Sequence, residues 1–300
     1  MNVSPTPWTP SLLYAEGGGK ATRRNVVVPL SDGTADERTV ELAASLAAAR
    51  DGEVILVSAV VRPSGTPLDL TDELLDEHRM AARQVLRTSL DSETEVRTRG
   101  TARAGRTFSA IVKEASEDFS AGVIVLDESE PATPFGRPVS ARVAGNADGD
   151  IVTVGGKHAS STLSSILVPV AGGPHSGLAV DAARSIAEVR GAWIELLHVV
   201  EEGAEDRERD DAEEYVAAAR ERLGEFDDVD TWVLEADDTA DVIVEQSRYY
   251  DATVMGAPQK NRLREFVFGS TTDDVRSEAH NTVVTVERPH ERDSLLGGWL

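Results

Sequence analysis

The sequence predicts an α/β protein of two repeated doubly wound domains, each a five-stranded parallel sheet flanked by helices. Three observations predict it. The chain repeats itself, strand and helix patterns alternate throughout, and the strands are short apolar runs without alternating polarity. With Val28-Pro29 placed over Val168-Pro169, an offset of 140, VVVPLSDGTADERTVELAASLAAARDGEVILVSAVV (26–61) runs without a gap against ILVPVAGGPHSGLAVDAARSIAEVRGAWIELLHVVE (166–201). Further on, AGVIVLD (121–127) matches DATVMG (251–256), with Asp127 opposite Gly256. Phe135-Gly136 matches Phe268-Gly269, and DIVTV (150–154) matches TVVTV (282–286).

The elements follow in order. Copy one has strands near 26–30, 53–60, 94–99, 122–126 and 151–154, and helices near 35–50, 70–90, 106–118 and 138–146. Copy two has strands near 166–170, 193–199, 230–235, 252–256 and 282–286, and helices near 175–189, 207–224, 239–249 and 270–279. Val180, Ala183, Ile186 and Ala187 show the helical spacing of an apolar face. The copies set domain boundaries of 24–155 and 164–288. Residues 1–23, with Pro5, Pro7, Pro10 and Gly17-Gly18-Gly19, and the tail 289–300 read as flexible ends, and GGKHASSTLSS (155–165) as a polar linker.

Composition narrows the function. The chain has 300 residues and no cysteine, which removes disulfides, thiolate metal sites and cysteine catalysis. Its formal charge of −23 argues against a nucleic-acid partner. No apolar stretch approaches the ~18 residues that cross a bilayer and no signal peptide opens the chain, so a cytoplasmic protein is expected. Lysine occurs only at positions 20, 113, 157 and 260. Excess carboxylate with little lysine is what a high-salt, halophilic cytoplasm favours, because charge repulsion there is screened within ~3 Å at 1 M salt. Removal of salt is then expected to loosen the fold, read as a falling denaturant midpoint.

Parallel α/β units bind ligands beyond the carboxyl ends of their strands. After the fourth strand of copy two the chain reads Gly256-Ala-Pro-Gln259, then nine residues, then Gly269-Ser270. Gly256 admits close backbone approach and positive φ, Gly269 stands at the entry to a helix whose free N–H groups hold anions, and Ser270 or Thr271 adds a hydroxyl. This motif, in its place within a duplicated five-strand unit, resembles the universal stress protein family, whose nucleotide-binding members carry Gly-x2-Gly-x9-Gly-Ser/Thr. The resemblance spans both copies. It implies binding of ATP or a related adenine nucleotide around Ala171, Val199, Met255, Gly256, Ala257, Gln259, Gly269, Ser270 and Thr271. Two departures stand out: Gln259 replaces the second glycine, and Ala171 replaces the acidic residue after the first strand. Asp273 and Asp274 are expected in the first helical turn as N-terminal caps beside Ser270, and Lys260, Arg262 and Arg264 in the loop as compensating cations. In copy one Gly256 is replaced by Asp127, the loop to Gly136 is four residues shorter, and Arg137-Pro138 replaces Ser270-Thr271. Copy one is therefore expected to be a structural partner.

Enzyme motifs are thin. Gly17-Gly18-Gly19-Lys20 and Gly155-Gly156-Lys157-His158 do not make a phosphate-binding lysine loop, and His175-Ser176 does not make a nucleophile elbow. The six histidines (78, 158, 175, 198, 280, 290) show no helical metal pairing. His175 reads as a helix-start residue, His198 as a core or pocket-edge histidine, and the acidic run 201–214 as the solvated start of a helix. No catalytic residue and no metal ligand is assigned, and slow or absent ATPase activity is expected. Two functional readings remain open. One is a nucleotide-binding sensor or regulator acting through protein partners in a stress response. The other, implied by resemblance to acidic tandem units beside halophilic amino-acid transporters, is a nucleotide-independent regulator of a membrane transporter. The family's edge-to-edge strand pairing implies an intramolecular pseudo-dimer of the two copies, with higher homo-oligomers open. The apolar tail residues Leu295, Leu296, Trp299 and Leu300 either dock or fray.

Overall fold

A computed structural model describes residues 23–31, 33–62, 65, 72–90, 95–128, 143, 149–157, 162–171, 174–257 and 268–288. Contacts divide the described residues into two compact units, built on 23–153 with 287–288, and on 154–286. In the first, the order is β1 (Asn25–Leu30), α1 (Glu37–Ala48), β2 (Glu53–Val61), α2 (Asp72–Ser89), β3 (Arg97–Gly105), α3 (Phe108–Asp118), β4 (Ala121–Asp127) and β5 (Asp150–Gly156). In the second it is β6 (Ser165–Pro169), α4 (Pro174–Arg190), β7 (Trp193–Val200), α5 (Asp206–Leu223), β8 (Val229–Glu235), α6 (Thr239–Gln246), β9 (Ala252–Gly256), α7 (Phe268–Glu278) and β10 (Thr282–Glu287).

Each unit has the strand order 3-2-1-4-5: β3-β2-β1-β4-β5 in the first and β8-β7-β6-β9-β10 in the second. The pairs β1–β2, β2–β3 and β1–β4 are parallel, as are β6–β7, β7–β8, β6–β9 and β9–β10. Burial on both faces explains the continuous apolar runs. Val26, Val27, Val28 and Leu30 of β1 are buried in succession, as are Ile166, Leu167 and Val168 of β6. Beneath them lie cores such as Val27, Ile55, Val57, Ile111 and Ala115 in the first unit, and Leu167, Leu197, Ile243, Met255 and Val275 in the second.

The α/β class and the two repeats stand as expected, and three boundaries differ. β3 covers 97–105, not 94–99. It is an edge strand of arginine, threonine, alanine and glycine, so it lacks the apolar run that marks the others. Its Gly100 is a packing glycine: a Cβ there would lie 2.7 Å from the Arg83 backbone nitrogen of α2. The helix expected over 239–249 ends at Gln246, where the Ser247 hydroxyl donates to the Val244 carbonyl (2.6 Å) and accepts from the His280 N–H (2.8 Å). α7 begins at Phe268, so Asp273 and Asp274 fall beyond its first turn and do not cap it. Asp273 instead faces Arg276 at 3.8 Å. The acidic run does open a helix: Glu205 caps α5 in a reciprocal box with Glu208. Of the helix expected over 138–146 only Val143 is described, buried against Ile124 and Ile151. The ends 1–22 and 289–300 lie outside the described residues.

Gly100→Ala is expected to lower stability by ~1–3 kcal/mol, because α2 must lift from the sheet. Urea denaturation followed by circular dichroism measures it.

Candidate nucleotide site

The candidate site lies at the carboxyl ends of β6 and β9. There β6 runs into Val170 and Ala171, β9 runs into Ala257, and α4 starts between them in sequence. Gly256 continues β9 and is not a positive-φ residue, contrary to expectation. Its reason for being glycine is a neighbour. A Cβ at Gly256 would lie 2.6 Å from the His175 carbonyl carbon and 2.7 Å from its oxygen, so the first turn of α4 rests directly on this residue.

Two histidines then hold the strand ends. His175, buried in the first turn of α4, donates from Nδ1 to the Ala257 carbonyl at 2.7 Å. His198 on β7 donates from Nδ1 to the Val170 carbonyl at 2.6 Å, and its ring lies 5.5 Å from that of Tyr215 on α5. Burial holds the His198 pKa below its ordinary value, with the Val170 hydrogen bond opposing that shift. The Ala171 N–H donates to the Ser176 hydroxyl at 3.3 Å, and the Ala257 N–H to the Val286 carbonyl at 2.9 Å. The strand ends that border the site are thus tied down by side chains of α4 and β7 and by the backbone of β10.

Of the residues singled out in the sequence, Ala171, Gly256 and Ala257 come together around the start of α4. Val199 is half-buried and packs on the core cluster that contains Met255, itself 4 % exposed. Gly269 and Ser270 lie in the first turn of α7, where free backbone N–H groups collect, and Thr271 is buried. Gln259 and the cations Lys260, Arg262 and Arg264 lie outside the described residues. His175, Ser176 and His198, which carry no catalytic motif in the sequence, fasten the site in the fold. For Ser176 the available signal is its closeness in sequence to Ala171; the acceptors of the two histidines lie far away in sequence.

The first unit is built differently at the same place. The Asp127 carboxylate, opposite Gly256 in the repeat, accepts the backbone N–H of Asp36 at 3.1 Å. Asp36 is the N-cap of α1, and its own carboxylate accepts the Arg38 N–H at 2.8 Å. Two carboxylates therefore crowd the start of α1, where an incoming anion would be repelled. Among the described residues no group of three or more His, Asp or Glu side chains is arranged to hold a metal ion.

Gly256→Val is expected to destabilise the second unit whether or not a ligand binds, since the added atoms meet the His175 backbone. A fall in melting temperature of the ligand-free protein checks this. A second expectation concerns pH. A histidine whose folded pKa is depressed gives stability that is present above about 6.5 and is lost as pH falls through the folded value. The urea midpoint should therefore drop between pH 7.5 and 5.5 by more in the wild type than in His198→Asn, whose amide can still donate to Val170. Equal drops would exclude His198 as the titrating group.

Comparison with known proteins is consistent with this architecture. The sequence profile described as the Universal stress protein family matches residues 22–155 and again 162–287. No curated protein matches the chain. Among solved structures, a universal stress protein from Archaeoglobus fulgidus is similar at 17 % identity with a TM-score of 0.56, covering 88 % of this chain and 96 % of that one. The cytoplasmic domain of a prokaryotic cation chloride cotransporter is similar at 12 % identity with a TM-score of 0.57, covering 89 % of this chain and 96 % of that one. A protein of unknown function from Pseudomonas aeruginosa follows at 14 % identity and a TM-score of 0.54, covering 89 % and 92 %. These likenesses share the fold alone. Two profile matches, falling on two units with one strand order, make the chain a tandem member of the universal stress protein family.

Proposed function

We propose that this protein is a non-enzymatic regulator that acts through protein partners and takes ATP or a related adenine nucleotide in its second copy alone. The observation that carries the reading is the asymmetry at the helix following each first strand. In the first copy the Asp127 carboxylate sits on the Asp36 N–H. In the second copy the same strand end carries Gly256 and no acid. A nucleotide there would meet the free N–H groups at the start of α7, with Gly269 and Ser270 in its first turn. Ala171 offers the ribose or base no carboxylate, so affinity would rest on phosphate contacts and on the apolar border near Val199.

A second reading is a nucleotide-independent regulator of a membrane transporter. It is favoured by the likeness to the cotransporter's cytoplasmic domain and by the bonds from His175 and Ser176 that already occupy polar groups at the site. Among the described residues no helix is long and apolar enough to cross a membrane, so such a role would be exercised from outside the bilayer. The charge of −23 supports work at high salt.

Isothermal titration with ATP in molar KCl is expected to show one site per chain, kept in Asp127→Gly. Two sites per chain, or loss of binding in Asp127→Gly, would exclude the assignment to the second copy. No binding, together with co-purification of a transporter, would favour the second reading.

A further inference from the structure

Among the described residues the second unit exposes aromatic rings where the first unit stacks arginines on its ring. On β7, Trp193, Glu195 and Leu197 point to one side of the sheet, and the register places Glu195 beside Asp230 and Leu197 beside Trp232 of β8. Leu197 and Leu234 on that side belong to or pack against the core beneath α6 and α7. Toward the amino ends of the strands the cover stops, because α6 ends at Gln246. What lies there is Tyr250, whose ring is 5.5 Å from that of Trp193 and whose hydroxyl donates to Glu195 at 2.8 Å. Trp193 is 38 % and Trp232 37 % exposed, the neighbouring Tyr249 is 71 % exposed, and Asp230 is exposed too. Burial, with the Glu195 hydrogen bond and the charges of Glu195 and Asp230, raises the Tyr250 pKa.

The first unit shows what fits such a face. Its aromatic residue between the third helix and the fourth strand is Phe119, and two guanidinium groups from β3 lie over that ring: Arg99 at 5.7 Å and Arg103 at 5.1 Å from the centroid. Carboxylates steady both, Glu53 for Arg99 (3.1 Å) and Asp118 for Arg103 (2.8 Å). The register in the first unit sets Ile55 beside Arg99 and Ala59 beside Arg103. Through the 140-residue offset Ile55 corresponds to Glu195, so Arg99 corresponds to Asp230 and Arg103 to Leu234. The second unit therefore keeps aromatic rings at this place, has no guanidinium on the adjoining strand positions, and puts carboxylates at the positions of Ile55 and Arg99.

We propose that the face of Trp193, Tyr250 and Trp232, with Glu195 and Asp230 between them, binds arginine side chains of a basic segment of a protein partner. Guanidinium planes stack on indole and phenol rings while their N–H groups reach the carboxylates, an arrangement that a lysine ammonium reproduces poorly. Partner docking of this kind deepens the regulatory reading above and is independent of nucleotide, so an empty nucleotide site leaves its test intact.

The test uses the full chain and a short labelled peptide alternating glycine and arginine, with a glycine–lysine twin, followed by fluorescence anisotropy. The arginine peptide should bind about tenfold more tightly than the lysine twin. Asp230→Arg, which restores the first unit's arrangement at an exposed site, and Trp232→Ala should each weaken it by about tenfold while the melting temperature holds. Glu213→Arg, the same charge change on an exposed position of α5, should leave the affinity unchanged. Equal binding of the two peptides, or an equal loss in Glu213→Arg, would reduce the effect to overall negative charge and overturn the proposal. Self-association of the chain without peptide, abolished by Trp232→Ala in sedimentation, would give the face to a second copy and overturn it as well.

Discussion

The approach of one helix start to one strand end governs the rest of each unit. In a parallel sheet the first helix must return over the first strand, and its opening turn then lies against the end of the fourth. In the second unit this contact is backbone on backbone, the His175 carbonyl against Gly256, with no room for a Cβ. In the first unit the same crossing is bridged by a side chain, the Asp127 carboxylate on the Asp36 N–H. One solution keeps carboxylates away from the strand end and the other places one there. Whatever an anion meets at the two places was decided by that choice.

The sequence made most of the fold legible, because a repeat gives every element a second reading. The strands that both copies show as apolar runs, such as β1 and β6 or β4 and β9, stand where expected. β3 was read short because an edge strand is half solvated, and its arginines and Gly100 carry no hydrophobic signal. The end of α6 was hidden because it depends on Ser247 meeting the His280 N–H, a contact that only the folded chain supplies. The start of α7 was misplaced by two residues because Ser270 and the following acids look like a cap, whereas the helix already begins at Phe268.

The site was legible in its glycines and illegible in their reasons. Gly256 was read as a place for close backbone approach, which it is, but the approaching backbone is His175 of the same chain. No local pattern announces that His175 and His198 would each fix a strand-end carbonyl, since their acceptors, Ala257 and Val170, are remote in sequence. The charge reversal on the open aromatic face was equally hidden. It emerges only when the β2–β3 and β7–β8 registers are laid over each other, and the sequence offset alone does not align β3 with β8.

A paired acid shows how the second unit stiffens its site. Glu41 on α1 and Asp181 on α4 occupy equivalent positions in the repeat. Glu41 pairs with Arg38 of its own helix at 2.9 Å, both almost wholly buried. Asp181 is instead gripped by Arg222 of α5 through two hydrogen bonds of 2.7 and 2.5 Å, and Arg222 also donates to the Gly177 carbonyl at 3.0 Å. Paired this way, a desolvated charge specifies a geometry more than it adds net stability. The geometry it specifies is the seat of α5 against α4. α5 in turn carries Tyr215 against the His198 ring, and His198 holds the carbonyl of Val170, next to Ala171. A shift of α5 would thus reach the candidate site through three named contacts: Arg222 with Asp181, Tyr215 with His198, and His198 with Val170.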